Sequence, residues 1–196
     1  LEMVPNVVIA LTKWDLAHRS GVHVHVDMIE KTLGVPVVPV SSISGEGIRE
    51  LLDIVLDIAE GRRKIRDTPL IVDYGALESY INELVELLEK AGLGFRYPLR
   101  WVAIRLLEGD TELLDTLRTL GLNDIVKRVT EMRNEIQRLR GRDPEELIAE
   151  ARFVFVERLL KPTIVRVEIP QRQLFIERIL QKPILGTIMS ICLLYT

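Results

Sequence analysis

Two short loops carry the residues that could do chemistry. Thr12-Lys13-Trp14-Asp15 follows directly on the apolar run Asn6 to Leu11. Ser41-Ser42-Ile43-Ser44-Gly45-Glu46-Gly47 follows directly on the apolar run Val35 to Val40. A carboxylate placed like Asp15 can accept two hydrogen bonds at once from a planar base with adjacent N–H donors. Guanine, with its N1–H and exocyclic amine, is such a base, and adenine is not. Lys13 has an aliphatic stem long enough to lie across a ring. The second loop, with two glycines and three serines, is a glycine-rich strand-to-helix turn. Taken singly, either loop could be an ordinary surface turn. What argues for a site is that both follow a buried strand, where open α/β sheets place their ligand loops.

The flanking elements would hold those loops in place. Asn6 to Leu11 and Val35 to Val40 are short, continuous and rich in β-branched residues, the pattern of strands buried on both faces; the prolines of the second suggest strand ends or an edge. A helix is expected from Val26 to Leu33, stopped by Gly34. Another starts at Ile48, with Ile48, Leu51, Leu52, Val55 and Ile58 on one face, and closes at Gly61. Strand, helix, strand, helix is the tail of a parallel α/β sheet. Two strands alone do not complete one, because a parallel sheet needs both faces and both edges covered.

The period then becomes helical. Arg62-Arg63-Lys64-Ile65-Arg66 and Pro69 read as a linker. Five amphipathic helices are expected beyond it: Leu77 to Ala91, from Pro98 through Leu107, one capped by Asp110 that carries Leu113, Leu117 and Leu120, Leu122 to Leu139, and one opening at Asp143-Pro144-Glu145-Glu146. The last is expected to end before Pro162.

The two loops resemble the base-reading motifs of GTPases. TKWD is similar to NKxD, with Thr12 where that motif has Asn, which removes an amide contact. SSISGEGI is similar to SAxxGEGI, with Ser42 where Ala is usual; there a backbone N–H contacts the guanine O6. The resemblance implies Thr12, Lys13, Asp15, Ser41, Ser42 and Ile43 as the base-binding residues. No Gly is followed by Lys and no Asp stands three residues before a Gly. The phosphate loop and the magnesium-side DxxG motif are therefore expected upstream of Leu1, and the piece alone is expected to lack GTPase activity.

Over nearly its whole length the chain resembles the prokaryotic ferrous-iron transport protein B family. The resemblance rests on the segment from Ile9 to Ile48, on Asp73-Tyr74-Gly75, on Ala149-Glu150-Ala151-Arg152-Phe153 and on the run from Ile176 to Gly186. Its most specific part is Arg100-Trp101-Val102-Ala103-Ile104-Arg105-Leu106-Leu107-Glu108-Gly109-Asp110. It implies the end of a G domain of P-loop GTPase type (1–61), a linker (62–72), an all-α helical domain that modulates nucleotide affinity (73–162), a juxtamembrane segment (163–182) and the start of a first transmembrane helix (183–196). The implied parent is a GTPase-coupled ferrous-iron transporter of a prokaryotic cell membrane, with GTP or GDP as ligand, Mg2+ in the intact protein, and residues 1–182 on the cytoplasmic side. Oligomer formation is left open.

Composition sets the outer limits. With 47% hydrophobic and 28% charged residues the chain is globular, and a net charge of −3 gives no basic face for nucleic acid. From Pro183 to Thr196 there is no charge, a run shorter than the ~20 residues a span needs. Arg172, Arg178 and Lys182 precede it, as the positive-inside rule expects on a cytoplasmic flank. His18, His23 and His25 read as solvent-exposed residues, and Cys192, Trp14 and Trp101 as packing residues. Two rival readings are a helical interaction module joined to a degenerate α/β remnant, and a fragment of a soluble translation- or RNA-associated GTPase.

Overall fold

The structure, a computed structural model, describes residues 1–92 and 96–167. Strand β1 (Ile9–Leu11) pairs in parallel with β3 (Val37–Pro39), with Ile9 opposite Val37 and Leu11 opposite Pro39. Between them the chain forms α1 (Trp14–Arg19), β2 (Val22–Val24) and α2 (Val26–Leu33), and α3 (Ile48–Ala59) follows β3. The expected α2 has its expected bounds, and Gly34 closes it at a φ of 65°. The strands are shorter than their apolar runs, since β1 can extend only as far as its partner. Its ladder begins where the Ile9 N–H donates to the Pro36 carbonyl at 2.9 Å.

Two features of this part differ from the sequence reading. Helix α3 buries Ile54 and half-buries Leu51 and Ile58, while Ile48, Leu52, Val55 and Leu56 stay exposed. Two strands about 4.8 Å apart are narrower than a helix about 10 Å across, so they cover only part of the apolar stripe. Helix α1 and strands β2 and β4 (Ile164–Arg166) were also not expected. Strand β2 pairs with β4, and the His25 N–H donates to the Thr163 carbonyl at 2.8 Å. Such a pairing depends on a partner some 140 residues away, which local pattern cannot register.

The five expected helices are present as α4 (Glu78–Lys90), α5 (Leu99–Glu108), α6 (Thr111–Thr119), α7 (Asn123–Arg140) and α8 (Pro144–Thr163). Their core holds Ile81, Leu84 and Leu88 of α4, Leu117 of α6, Val129, Met132 and Ile136 of α7, and Ile148 of α8. Helix α5 is buried on nearly all sides through Val102, Ala103, Ile104, Leu106 and Leu107, so it is the central helix rather than an amphipathic outer one. Asp110 caps α6 by accepting from the Leu113 N–H at 3.1 Å. Asp143 caps α8 by accepting from the Glu145 N–H at 2.9 Å, with Pro144 at the first helical position. Each such cap stabilises its helix by about 1 kcal/mol.

Helix α8 does not end before Pro162 but continues through it to Thr163. A proline this close to a helix end removes a single intrahelical bond. The final turn is held instead by the Ile164 N–H on the Leu160 carbonyl and by the Thr163 hydroxyl, 3.1 Å from the carbonyls of both Leu159 and Leu160. The helix serves two cores. Ile148 lies in the helical core, and Leu159 lies with Ile29, Leu33, Val35 and Val37 of the α/β part. The segment between the two parts is pinned: the Arg66 guanidinium donates to the Leu33 carbonyl at 2.6 Å, and the Leu70 N–H to the Leu1 carbonyl at 3.0 Å.

No helix among the described residues is long and apolar enough to cross a membrane. The uncharged run from Pro183, with Cys192, lies outside the described residues, as do Arg172, Arg178 and Lys182.

Candidate functional site

The β1–β3 pair brings the two loops together. Past the ladder the Val40 N–H donates to the Leu11 carbonyl at 2.8 Å, and the Trp14 N–H to the Val40 carbonyl at 3.2 Å. Lys13 has a φ of 58°, the single positive value at a non-glycine among the described residues. A left-handed lysine costs about 1–2 kcal/mol. That turn starts α1 at once, with the Leu16 and Ala17 N–H groups donating to the Lys13 carbonyl, and it sets Asp15 in the first helical turn.

There Asp15 meets the second loop. The Ser41 hydroxyl donates to Asp15 Oδ1 at 2.8 Å, and Ser41 is fully buried. The Ser41 hydroxyl oxygen in turn accepts from the Ser44 N–H at 3.3 Å. The loop closes on itself through the Ser41 N–H on the Glu46 carbonyl at 3.1 Å and the Gly45 N–H on the Ser41 carbonyl at 2.9 Å. Gly47 ends it at a φ of 72°, and a Cβ there would stand 1.9 Å from the Pro39 carbonyl oxygen. Any other residue would push the loop off the end of β3.

Of the six residues singled out from sequence, Asp15 and Ser41 are hydrogen-bonded to each other. Thr12, Lys13, Ser42 and Ile43 are exposed on the two loops, Ile43 to 82%. The arrangement is a half-buried carboxylate with one oxygen held by a buried serine hydroxyl, beside an exposed loop. It can receive a planar donor pair. Trp14 is half-buried edge-on against His18, and His18 packs against His23 at 5.7 Å. All three histidines are exposed, and no cluster of three or more His, Cys, Asp or Glu suited to a metal occurs among the described residues. Trp101 packs on Tyr97 at 5.0 Å.

A second polar cluster escaped the sequence reading. Both oxygens of Glu2 are engaged, one by the Tyr74 hydroxyl and the other by Arg152 Nε at 2.9 Å. Arg152 also donates to Glu108. Burial first, and then the bond to Glu2, push the Tyr74 hydroxyl well above its ordinary pKa. Burial disfavours the charge on Arg152, but the Glu2 bond and the neighbouring Tyr74 and Glu108 outweigh it and hold the guanidinium firmly protonated. Tyr74 and Arg152 stand in segments that carry the family resemblance. No local pattern shows that they meet Glu2.

Comparison with known proteins bears on what this architecture is. Residues 1–55 match the family model described as ferrous iron transport protein B, and residues 74–165 match the one described as the FeoB cytosolic helical domain. The chain belongs to the FeoB family. It carries a G-domain-like part and the helical domain of the FeoB cytosolic region. A Porphyromonas gingivalis Fe(2+) transport protein A/Fe(2+) transporter FeoB fusion protein is 33% identical over 83% of this chain and 20% of its own length. The Escherichia coli K12 Fe(2+) transporter FeoB is 30% identical over 56% of this chain and 14% of its own. This chain thus spans about a fifth or less of these relatives. The cytosolic domain of the T. maritima FeoB iron transporter in its GMPPNP form superposes with a TM-score of 0.64 at 28% identity, over 84% of this chain and 59% of that one. Its GDP form I gives 0.63 at 27% identity, over 84% of this chain and 58% of that one.

Proposed function

We propose that residues 1–61 are the guanine-reading end of a G domain, and that the whole protein is a GTP-binding ferrous-iron transporter of a prokaryotic membrane. Asp15 accepts hydrogen bonds from guanine N1–H and the exocyclic amine, Lys13 lays its stem over the base, and backbone N–H groups of Ser41, Ser42 and Ile43 face the O6. Thr12, lacking the amide of an Asn, contributes less affinity than that residue would. The observation that carries this reading is the Ser41–Asp15 bond at the carboxyl ends of two parallel strands, which holds a carboxylate in one orientation for an in-plane partner. The T. maritima relatives in GDP and GMPPNP forms support it.

In this reading 62–72 is the linker, 73–162 the helical domain that tunes nucleotide affinity, 163–182 the juxtamembrane segment and 183–196 the start of a transmembrane helix. Residues 1–182 then lie on the cytoplasmic side, and ferrous iron is the cargo. Phosphates and any Mg2+ are held by other parts of the protein, since this sequence has neither a GxxxxGK[ST] loop nor a DxxG motif.

The test is Asp15→Asn in the full-length protein. Two hydrogen bonds to a charged acceptor are worth about 1.5–3 kcal/mol each, so GDP should weaken by roughly a hundredfold or more by calorimetry. Xanthosine diphosphate, whose C2 oxygen prefers an amide donor, should gain. An unchanged GDP affinity with xanthosine diphosphate still rejected would remove Asp15 as the base reader.

A further inference from the structure

Beside the first nucleotide loop three rings stand in a row. Trp14 meets His18 edge-on at 4.8 Å, and His18 meets His23 at 5.7 Å with the ring planes 84° apart. We propose that His18 and His23 form a binding site for one divalent transition-metal ion of the Fe2+-to-Zn2+ kind, separate from the guanine contacts.

The fold, rather than the spacing, makes this pair. His18 stands in the last turn of α1 and His23 in the middle of β2. Between them the chain reverses at Gly21, which is buried with a φ of 71° and donates its N–H to the His18 carbonyl at 3.1 Å. Both elements are fixed at their far ends. Helix α1 begins where the Trp14 N–H donates to the Val40 carbonyl at 3.2 Å, and β2 runs into His25, whose N–H donates to the Thr163 carbonyl at 2.8 Å. Trp14, half-buried, walls one side of the His18 ring. The backbone positions are therefore set before any ion arrives, and only side-chain torsions remain to be ordered.

Two imidazoles that share one ion through bonds of ~2.0–2.1 Å have ring centres about 5–6 Å apart. The separation of His18 and His23 lies in that span, so turning the rings aims a nitrogen of each at a common point without moving the backbone. Both side chains are exposed, and the ion's other positions stay with water. Imidazole suits the borderline ions from iron to zinc, whereas Mg2+ and Ca2+ favour oxygen ligands. Two ligands make a weak, exchangeable site, in contrast to the closed four-ligand sites that hold structural zinc. Arg19 follows His18 directly, but adjacent positions on a helix do not face each other. If the cargo reading above holds, ferrous iron is the ion of this class that the site meets, but the site itself does not rest on that reading.

The test uses full-length protein stripped of metal by a chelator and titrated with Ni2+, whose open d shell quenches a nearby indole. Trp14, against His18, is the reporter, and the difference between wild type and Trp14→Phe isolates its signal. That signal should be quenched saturably by Ni2+ and, under anaerobic conditions, by Fe2+ at higher concentration, in the order of divalent affinities. Excess Zn2+ should restore it and excess Mg2+ should not. His18→Gln and His23→Gln should each raise the half-point by at least the roughly 10–100-fold that loss of an outer-sphere partner costs a metal site. His25→Gln should stay within twofold. His18→Gln also removes a ring from Trp14, so His23→Gln, which leaves the Trp14–His18 pair intact, carries the test if the two disagree. Quenching that survives His23→Gln, that does not depend on Trp14, that Fe2+ fails to produce or that Mg2+ reverses as well as Zn2+ overturns the proposal. An effect of His25→Gln as large as that of His23→Gln overturns it too, since the ion would then be held by a histidine-bearing surface in general.

Discussion

Replacing Ser41 by Ala tests how the base-reading carboxylate is aimed. The change removes a single oxygen from a fully buried side chain and leaves the fold little to repack. That oxygen does two things: it donates to Asp15 Oδ1 at 2.8 Å and accepts from the Ser44 N–H at 3.3 Å. The first is a hydrogen bond to a charged acceptor, worth about 1.5–3 kcal/mol, and the second is a long neutral one worth about 0.5 kcal/mol. Asp15 is only half-buried, so water recovers part of the first. A net loss of about 1.5–2 kcal/mol remains, and because the bond also exists without nucleotide it sets the ceiling on the weakening, at most roughly 10- to 30-fold in affinity. Calorimetry with GDP on full-length Ser41→Ala should show that weakening. Base preference should be unchanged, since the carboxylate itself is intact, and that separates this variant from Asp15→Asn. The reasoning is refuted if Ser41→Ala binds GDP within twofold of wild type at an unchanged melting temperature.

Three further outcomes follow from the same coordinates. Gly47→Ala combines a left-handed alanine, at about 1–2 kcal/mol, with a Cβ 1.9 Å from the Pro39 oxygen. It should lower stability by about 3 kcal/mol in denaturant titrations, the clash adding about 1–3 kcal/mol, whereas Gly45→Ala, with open space around its Cβ, should cost about half as much. The Arg100 guanidinium, 2.7 Å away, holds the Glu78 carboxyl below its ordinary pKa, burial opposing. Its contribution is complete above the unfolded value and is lost as pH falls through the lower folded one, so Arg100→Met should flatten the acid limb of thermal melts below about pH 4.5. Finally, the helical core draws every member from between Leu70 and Phe155. A piece spanning 67–161 should therefore melt cooperatively by circular dichroism, and a non-cooperative melt would mean that the α/β part is needed to fold it.

The sequence alone determined the elements that local chemistry dictates. Val26 to Leu33 and its glycine stop, the Asp110 and Asp143 caps, and five helices in order all follow from periodicity and capping, which act within a few residues. The two loops were legible for a similar reason: a carboxylate and a glycine turn, each placed just after a β-branched run, are local signals. Tertiary structure decided what depends on distant partners. That Ser41 acts through its hydroxyl on Asp15 follows from the β1–β3 register, which sets residues 26 apart side by side. The pairing of β2 with β4, the passage of α8 through Pro162 and the exposure of Leu52 and Val55 all turn on what lies opposite each element. The meeting of Glu2 with Tyr74 and Arg152 is the furthest case. Charged residues at positions 2 and 152 read as surface in any window, and only a closed fold sets a partly exposed guanidinium against a mostly buried carboxylate.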